Sequence, residues 1–463
     1  MKKSLILLVS ALLCVLIPFP GFARSEEDGA SPWSFGLSFG SQSFFNTDYI
    51  PGGTESETLI YQGIGLHPEY RTENFDIAFD LVLRFRFDGG DNANKFEIRE
   101  EDWKAYGAWR IFDLYLPKIR SARYGTKGDP FAARLGDIDG MTFGNGFIVS
   151  SYTNTLFQPE NRVLGAVFNI DGSIVDIPYF GIEIFMANAA HFDFAAGRLH
   201  IFHLAAFDNS ILKNTEIGGT LALDQNPFYF ADRYSMYRSY SGPVLDVKND
   251  NPLQRIVGLD FKVPLLTDPG FSFTLFGDWA SQNSRAGWMG GASGRICSMF
   301  IWEAQYRYLD YDFLPGFYDV SYDLYRPEKA VVYESADSGY YLGRTIAYLG
   351  SVGLALFDDR FVFKVVSEGP LEDKPGRLYD WQGILELKEG LVPHFSFDIL
   401  YSKKNMADLD DFATWKQDSL VRARIHYRAG PAVLSLVHIM RYIPTDMGKD
   451  RQALTGIEAR IRF

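Results

Sequence analysis

Cysteine is almost absent from this chain. Two occur in 463 residues, Cys14 and Cys297. Cys14 lies inside an N-terminal apolar run, after Leu12-Leu13 and before more apolar residues, which is the wrong place for lipid attachment. With that run removed, Cys297 stands alone, which excludes an intramolecular disulfide and a cysteine-based metal site. Past residue 24 no stretch is long and apolar enough to make a spanning helix. Amphipathic patterns of period 3.6 are nearly absent as well. Basic residues are outnumbered, 45 Lys and Arg against 58 Asp and Glu, for a net charge of −13. A nucleic-acid binder would carry a basic footprint instead. Catalytic motifs are missing too, with no Gly-x-Ser-x-Gly and no His-Glu-x-x-His. His200 and His203 are three apart, so on a strand they face opposite sides. His191 and Asp193 share a face, but no nucleophile motif accompanies them. Asp137/Asp139 and Asp408/Asp410/Asp411 lack the spacing of a calcium loop and are expected to be hydrated loops. No catalytic residue, cofactor or metal is expected.

The N-terminus has the layout of an export signal. Lys2 and Lys3 precede an apolar stretch from Leu5 to about Pro20, and Gly21-Phe22-Ala23 forms a small-x-small cleavage site. Pro18 and Pro20 interrupt the stretch, which is short for a transmembrane anchor. Residues 1–23 are therefore expected to be a cleaved signal peptide and residues 24–463 the mature domain. Losing two lysines brings the mature net charge to about −15.

Aromatic residues are abundant, at 16%, with 39 Phe and 26 Tyr. They fall in segments that alternate with period two, the repeat of a β-strand. Trp33, Phe35, Leu37 and Phe39 alternate with Ser34, Gly36, Ser38 and Gly40. Phe75, Ile77, Phe79, Leu81, Leu83, Phe85 and Phe87 alternate with Asp76, Asp80, Arg84, Arg86 and Asp88 among others. The second segment has about the 9–11 residues plus an interfacial end that a tilted membrane strand needs. Similar segments recur at 257–263, 271–279, 300–308, 381–388 and 395–401. Aromatic girdles line both interfaces of membrane β-barrels. A chain that spans a membrane without helices must close into a barrel, because lipid leaves no water for open strand edges.

The chain stops at Ile457-Glu458-Ala459-Arg460-Ile461-Arg462-Phe463, with an apolar face ending in Phe463 and a charged face opposite. This ending resembles that of Gram-negative outer-membrane β-barrels, whose terminal amphipathic strand and final Phe are read by the insertion machinery. The resemblance implies an all-β fold, a single antiparallel barrel with short periplasmic turns and long extracellular loops. It further implies residence in the outer membrane of a diderm bacterium and contact with its lipid. Phe463 becomes the candidate insertion signal, and a porin-like homo-oligomer an open option. About 18 strands are expected, within 14 to 20, because a single bacterial chain closes with an even number. At that size side chains cannot fill the interior. A passive channel for small polar, in one variant anionic, solutes is the expectation. Alternatives are a barrel without an open pore, serving as scaffold, adhesin or rim hydrolase, and a fatty-acid-type hydrophobic transporter. The last is disfavoured because Trp33 starts an ordinary strand and leaves little chain for an N-terminal plug.

Connections near the C-terminus alternate in expected length. Residues 358–360, 389–393 and 430–431 read as short, and 367–380, 403–418 and 443–452 as long. The longest candidate loops, 225–254 and 310–339, are read as solvated extracellular surface. Between 117 and 161 the alternation is lost and glycines cluster. Two short hairpins are expected there, with an inward constriction at Gly144, Asn145 and Gly146 as the alternative.

One strand carries a run of bases. In 421–429, Val421, Ala423, Ile425 and Tyr427 form an apolar face, and Arg422, Arg424, His426 and Arg428 form the other. Arginine against lipid costs ~2–4 kcal/mol at the midplane, so this face is expected to point into the lumen. With Arg460 and Arg462 it forms a candidate basic stripe. The stripe would steer anionic or zwitterionic solutes, or would pair with acids such as Glu458 and Asp398 and stiffen the wall.

Overall fold

A computed structural model describes residues 31–45, 58–88, 95–104, 111–126, 128–177, 179–202, 210–230, 252–335, 341–408, 411, 418–445 and 448–463. Residues 1–23, and with them the expected signal peptide, lie outside the described residues, as do His203 and Asp410. The strands run in order as β1 (Trp33–Phe45), β2 (Thr58–Arg71), β3 (Phe75–Phe79), β4 (Leu81–Asp88), β5 (Lys95–Ile98), β6 (Ile119–Tyr124), β7 (Phe131–Gly136), β8 (Val149–Ser150), β9 (Gly165–Asp171), β10 (Phe180–Met186), β11 (Phe194–Ile201) and β12 (Glu216–Asp224). They continue as β13 (Gln254–Thr267), β14 (Phe271–Gln282), β15 (Arg285–Ile296), β16 (Phe300–Leu309), β17 (Tyr318–Asp319), β18 (Thr345–Leu356), β19 (Phe361–Pro370), β20 (Tyr379–Val392), β21 (Phe395–Met406), β22 (Ser419–Ala429), β23 (Ala432–Thr445) and β24 (Gly448–Arg462). Three short helices accompany them: α1 (Ile111–Tyr115), α2 (Ser210–Lys213) and α3 (Tyr322–Glu334).

All strands but β8 and β17 form one antiparallel sheet, and it closes on itself. β24 pairs with β1 from Gly36↔Arg462 to Gln42↔Gly456. β3 and β4 lie end to end against β2, and β5 and β6 share the next place, so the wall has 20 positions. Closure satisfies the strand edges that lipid would otherwise leave dry, save the edge of β5, which pairs with β4 alone among the described strands. The expected all-β barrel stands, two strands larger than the central expectation. The outward residues of these strands form an exposed apolar band that includes Phe39, Ile64, Leu259, Phe261, Trp288 and Val352. Among the described residues no helix is long and apolar enough to cross a membrane.

The interior is filled from within. Residues 137–164 leave the top of β7, run through the lumen and return to β9. Residues 310–335, with β17 and α3, enter the lumen from the end of β16. Inside, β8 and β17 pair in parallel, Tyr318↔Val149 and Asp319↔Ser150. Phe143, Phe147, Val149, Tyr152, Phe313, Phe317, Tyr318 and Tyr322 form a buried aromatic core with wall residues Phe185, Phe194, Ile256 and Phe276. The Phe194 and Tyr318 rings stack 4.1 Å apart. Burying such rings is the main favourable term for a segment that gives up loop freedom.

Three expectations are corrected here. The 310–339 segment is not a solvated outer loop. Its Asp312, Asp319 and Asp323 find partners inside the barrel, and the helix at 322–334 was not anticipated. The region after Gly430-Pro431 is not a long loop at 443–452, since β23 and β24 stay paired out to Thr445↔Gly448. The 117–161 region holds the short hairpin of β6 with β7 and a second antiparallel turn bridged at Met141↔Tyr152, but the second lies inside the lumen and not in the wall. Of the 225–254 segment, Phe228, Tyr229 and Phe230 are buried, and residues 231–251 lie outside the described ones.

Candidate functional site

The inward segments pack against one side of the lumen and leave a cavity of about 770 Å³ on the other. Its wall comes from β22–β24, β1, β2, β4 and Asp80, and its inner side from residues 99–102, 113–118 and 155–162. Eight arginines and lysines and seven aspartates and glutamates line it, so its fixed charge nearly cancels. The charges are largely matched in pairs.

The pairs tie the inward segment to the wall. Arg162 reaches Asp80 Oδ2 at 2.9 Å and Asp137 Oδ1 at 3.2 Å. Arg422 Nη1 donates to Asp139 Oδ1 at 2.9 Å, and Arg424 Nη2 to Asp139 Oδ2 at 2.6 Å. Burial alone would raise the Asp139 carboxyl, but these two guanidiniums outweigh it and hold it below the usual carboxylate range. Arg441, fully buried, donates to Glu160 Oε2 at 3.1 Å and to the Leu156 carbonyl. Burial nevertheless pushes the Glu160 carboxyl up, with Arg441 opposing. Arg84 pairs with Asp102 at 2.9 Å, joined there by Arg99.

Lys118 differs from these cations. Among the described residues no carboxylate stands within ion-pair distance of it, and its Nζ lies 4.1 Å from the Trp103 ring centroid. Burial, with Arg84 and Arg99 nearby, lowers its ammonium to about 8 despite Asp102.

The basic stripe falls in several environments. Arg422, Arg424 and Arg460 line the cavity. Arg424 also grips Asp398 at 2.8 Å, and Arg460 reaches Glu458 at 3.1 Å and Asp80 at 3.4 Å. His426 bonds Ser435 Oγ at 2.9 Å outside the cavity. Arg428 pairs with Glu389 at 3.1 Å near the exposed rim. Arg462 sits 3.3 Å from Glu69. Phe463 is 70% exposed, and its N–H donates to the Phe35 carbonyl at 2.8 Å, the last rung of closure.

Gly144, Asn145 and Gly146 form a tight turn of the inward segment, away from the cavity. Gly144 has φ +56, and a Cβ there would meet the Asp260 carboxylate at 2.8 Å. Asn145 Nδ2 donates to the Phe261 carbonyl and to Asp278 Oδ1, both at 3.2 Å. Asp137 and Asp139 face arginines, and no metal-holding cluster occurs among the described residues. His191 meets Asp113 rather than Asp193, at 2.5 Å. Asp193 instead accepts from Arg326 at 2.9 Å.

Sequence reasoning missed Lys118 and Arg326, and it read Asp139 as part of a hydrated loop where the structure pairs it with Arg422 and Arg424. Lys118 precedes an alternating segment and carries no motif. Only the length of chain without alternation between Ile98 and Ile119 hinted at an interruption of the wall.

The closed sheet, the outward apolar band and the charged lumen define a transmembrane β-barrel. The solved structures it is similar to include Acinetobacter baumannii OccAB4, with TM-score 0.32 and 10% identity over 93% of this chain and 97% of that one. Pseudomonas aeruginosa OpdQ gives 0.34 and 10% over 93% and 96%. A BenF-like porin from Pseudomonas fluorescens gives 0.33 and 8% over 93% and 98%. No family model matches the sequence, and no curated protein is similar to it.

Proposed function

We propose that this chain is a non-enzymatic outer-membrane channel through which small polar solutes pass along the charged cavity. The observation that carries the reading is the cavity itself, an eccentric polar space kept open inside a lumen otherwise packed with aromatic rings. A closed scaffold would gain by filling it. The nearly cancelling charge favours weak ion selectivity, with Lys118 supplying the anionic bias that the arginine stripe suggested. Arg422 and Arg424 spend their charge on Asp139 and Asp398 and hold the inward segment in place. Export by residues 1–23 and recognition of Phe463 by the insertion machinery belong to the same proposal.

Swelling of proteoliposomes tests it. Entry of small sugars and amino acids, with exclusion of solutes of several hundred daltons, is expected. Vesicles bearing folded protein that admit none of these solutes would refute a channel.

A further inference from the structure

The wall is not of even height. A ladder line runs from Gln282 through Ile256, Ala222, Ala196, Phe185, Val167, Arg134 and Arg123 to Asp76. Toward the rim that carries Phe463, β13 continues eleven residues past this line and β6 only one. The line therefore slopes toward that rim, as tilted strands require. An even wall would compensate on the far side. Instead β7, β9, β10, β11 and β12 each continue only one or two residues there, while β4 continues twelve. The wall has a notch, deepest at β6 and β7, and β5 borders it paired with β4 alone among the described strands.

At the deep corner the chain crosses as α1. Its Asp113 and Leu114, with Pro117 and Lys118, line the cavity. Its Ile111, Phe112 and Tyr115 do not, and are 68%, 63% and 50% exposed. Among the described residues, one five-residue helix separates the charged cavity from the outside of the barrel. It is tied on one side by Asp113 to His191 and on the other by the Lys118 carbonyl, which accepts from the Asp80 N–H at 2.8 Å. Side-chain ties hold less firmly than the ladder of bonds that joins strands elsewhere.

We propose that this notch is a lateral port joining the cavity to the bilayer, and that it admits single-chain anionic amphiphiles. The headgroup would meet Lys118 just inside, and the chain would run past Leu114 into the lipid beside Ile111 and Phe112. This goes beyond passage of polar solutes and does not depend on conduction.

The test is photo-crosslinking in phospholipid vesicles. Leu114→p-benzoylphenylalanine places the probe on the inner side of α1. Val437→p-benzoylphenylalanine places it on the opposite cavity wall as control. Lipid adducts at position 114 well above those at 437 are expected. Laurate should suppress them severalfold and dodecyltrimethylammonium should not, and adding Lys118→Met should abolish the difference between the two. Adducts no more frequent at 114 than at 437, or equal suppression by both amphiphiles, would overturn the proposal. Retained heat-modifiable gel mobility shows that the variant folds, and Pro117 carries the probe if position 114 does not tolerate it. Conductance measured on the same preparation separates failure of the port from failure of the channel.

Discussion

Arg326 is fully buried and faces Asp193 at 2.9 Å, Asp224 at 2.6 Å and Asp323 at 3.5 Å. Breaking such a set by removing its one cation leaves buried carboxylates without compensation, at about 3–5 kcal/mol. Arg326→Met is therefore expected to lower the temperature of the heat-modifiable gel shift sharply. Asp323 gives this set a pH dependence. Burial, the largest influence, pushes its carboxyl up to about 7 despite Arg326. Its folded value lies above the unfolded one, so the stability it contributes is full near pH 4 and is lost as pH rises through 7. The unfolding midpoint should fall between about pH 4 and 7 and level off above that, and Asp323→Asn should flatten that fall. An unchanged slope in the variant would assign the dependence to another group. At Lys118 the sign concerns conduction. The ammonium becomes a neutral amine as pH rises through about 8. Reversal potentials in a salt gradient should shift toward cation preference between pH 7 and 9, and Lys118→Met should abolish the shift.

Elements differ in how plainly their sequence shows them. Wall strands meet lipid on one face and the lumen on the other, which forces period two. That is why Phe75 to Phe87 and 421–429 were readable from residues alone. The lumen segments obey no such rule. In α3, Tyr322, Leu324, Tyr325, Ala330, Val331 and Tyr333 are all buried, with Asp323 and Arg326 among them. Burial on every side erases the stripe by which a helix is recognised, and Pro327 inside it adds a breaker. The far ends of β23 and β24 failed for the opposite reason. Residues 443–452 read as a long connection because the alternation lapses there, yet a ribbon paired beyond the apolar band has no need to alternate. Two partners of the arginine stripe, Asp398 and Glu458, were legible in the sequence, whereas Asp139 was not, because it lies 283 residues from Arg422. The inward turn makes its own prediction. Gly144→Ala forces a Cβ against the Asp260 carboxylate and a side chain into left-handed backbone, about 1–2 kcal/mol before any clash. It should loosen residues 137–164 and lower the folded stability while raising single-channel conductance.

At the scale of the whole molecule, a closed sheet of this circumference leaves a lumen that side chains on the wall cannot fill. Two inward segments fill most of it, and what remains is an off-centre charged cavity beside a shortened arc of wall. The central claim is that these segments narrow an aqueous path without shutting it. Planar-bilayer recording of the refolded chain from Arg24 tests that most directly, beside a variant in which residues 311–341 are replaced by a short Gly-Ser linker. Small stepwise conductance is predicted for the full barrel, and severalfold larger steps for the variant. Folded barrels of both kinds that conduct alike, or that never conduct, would contradict it.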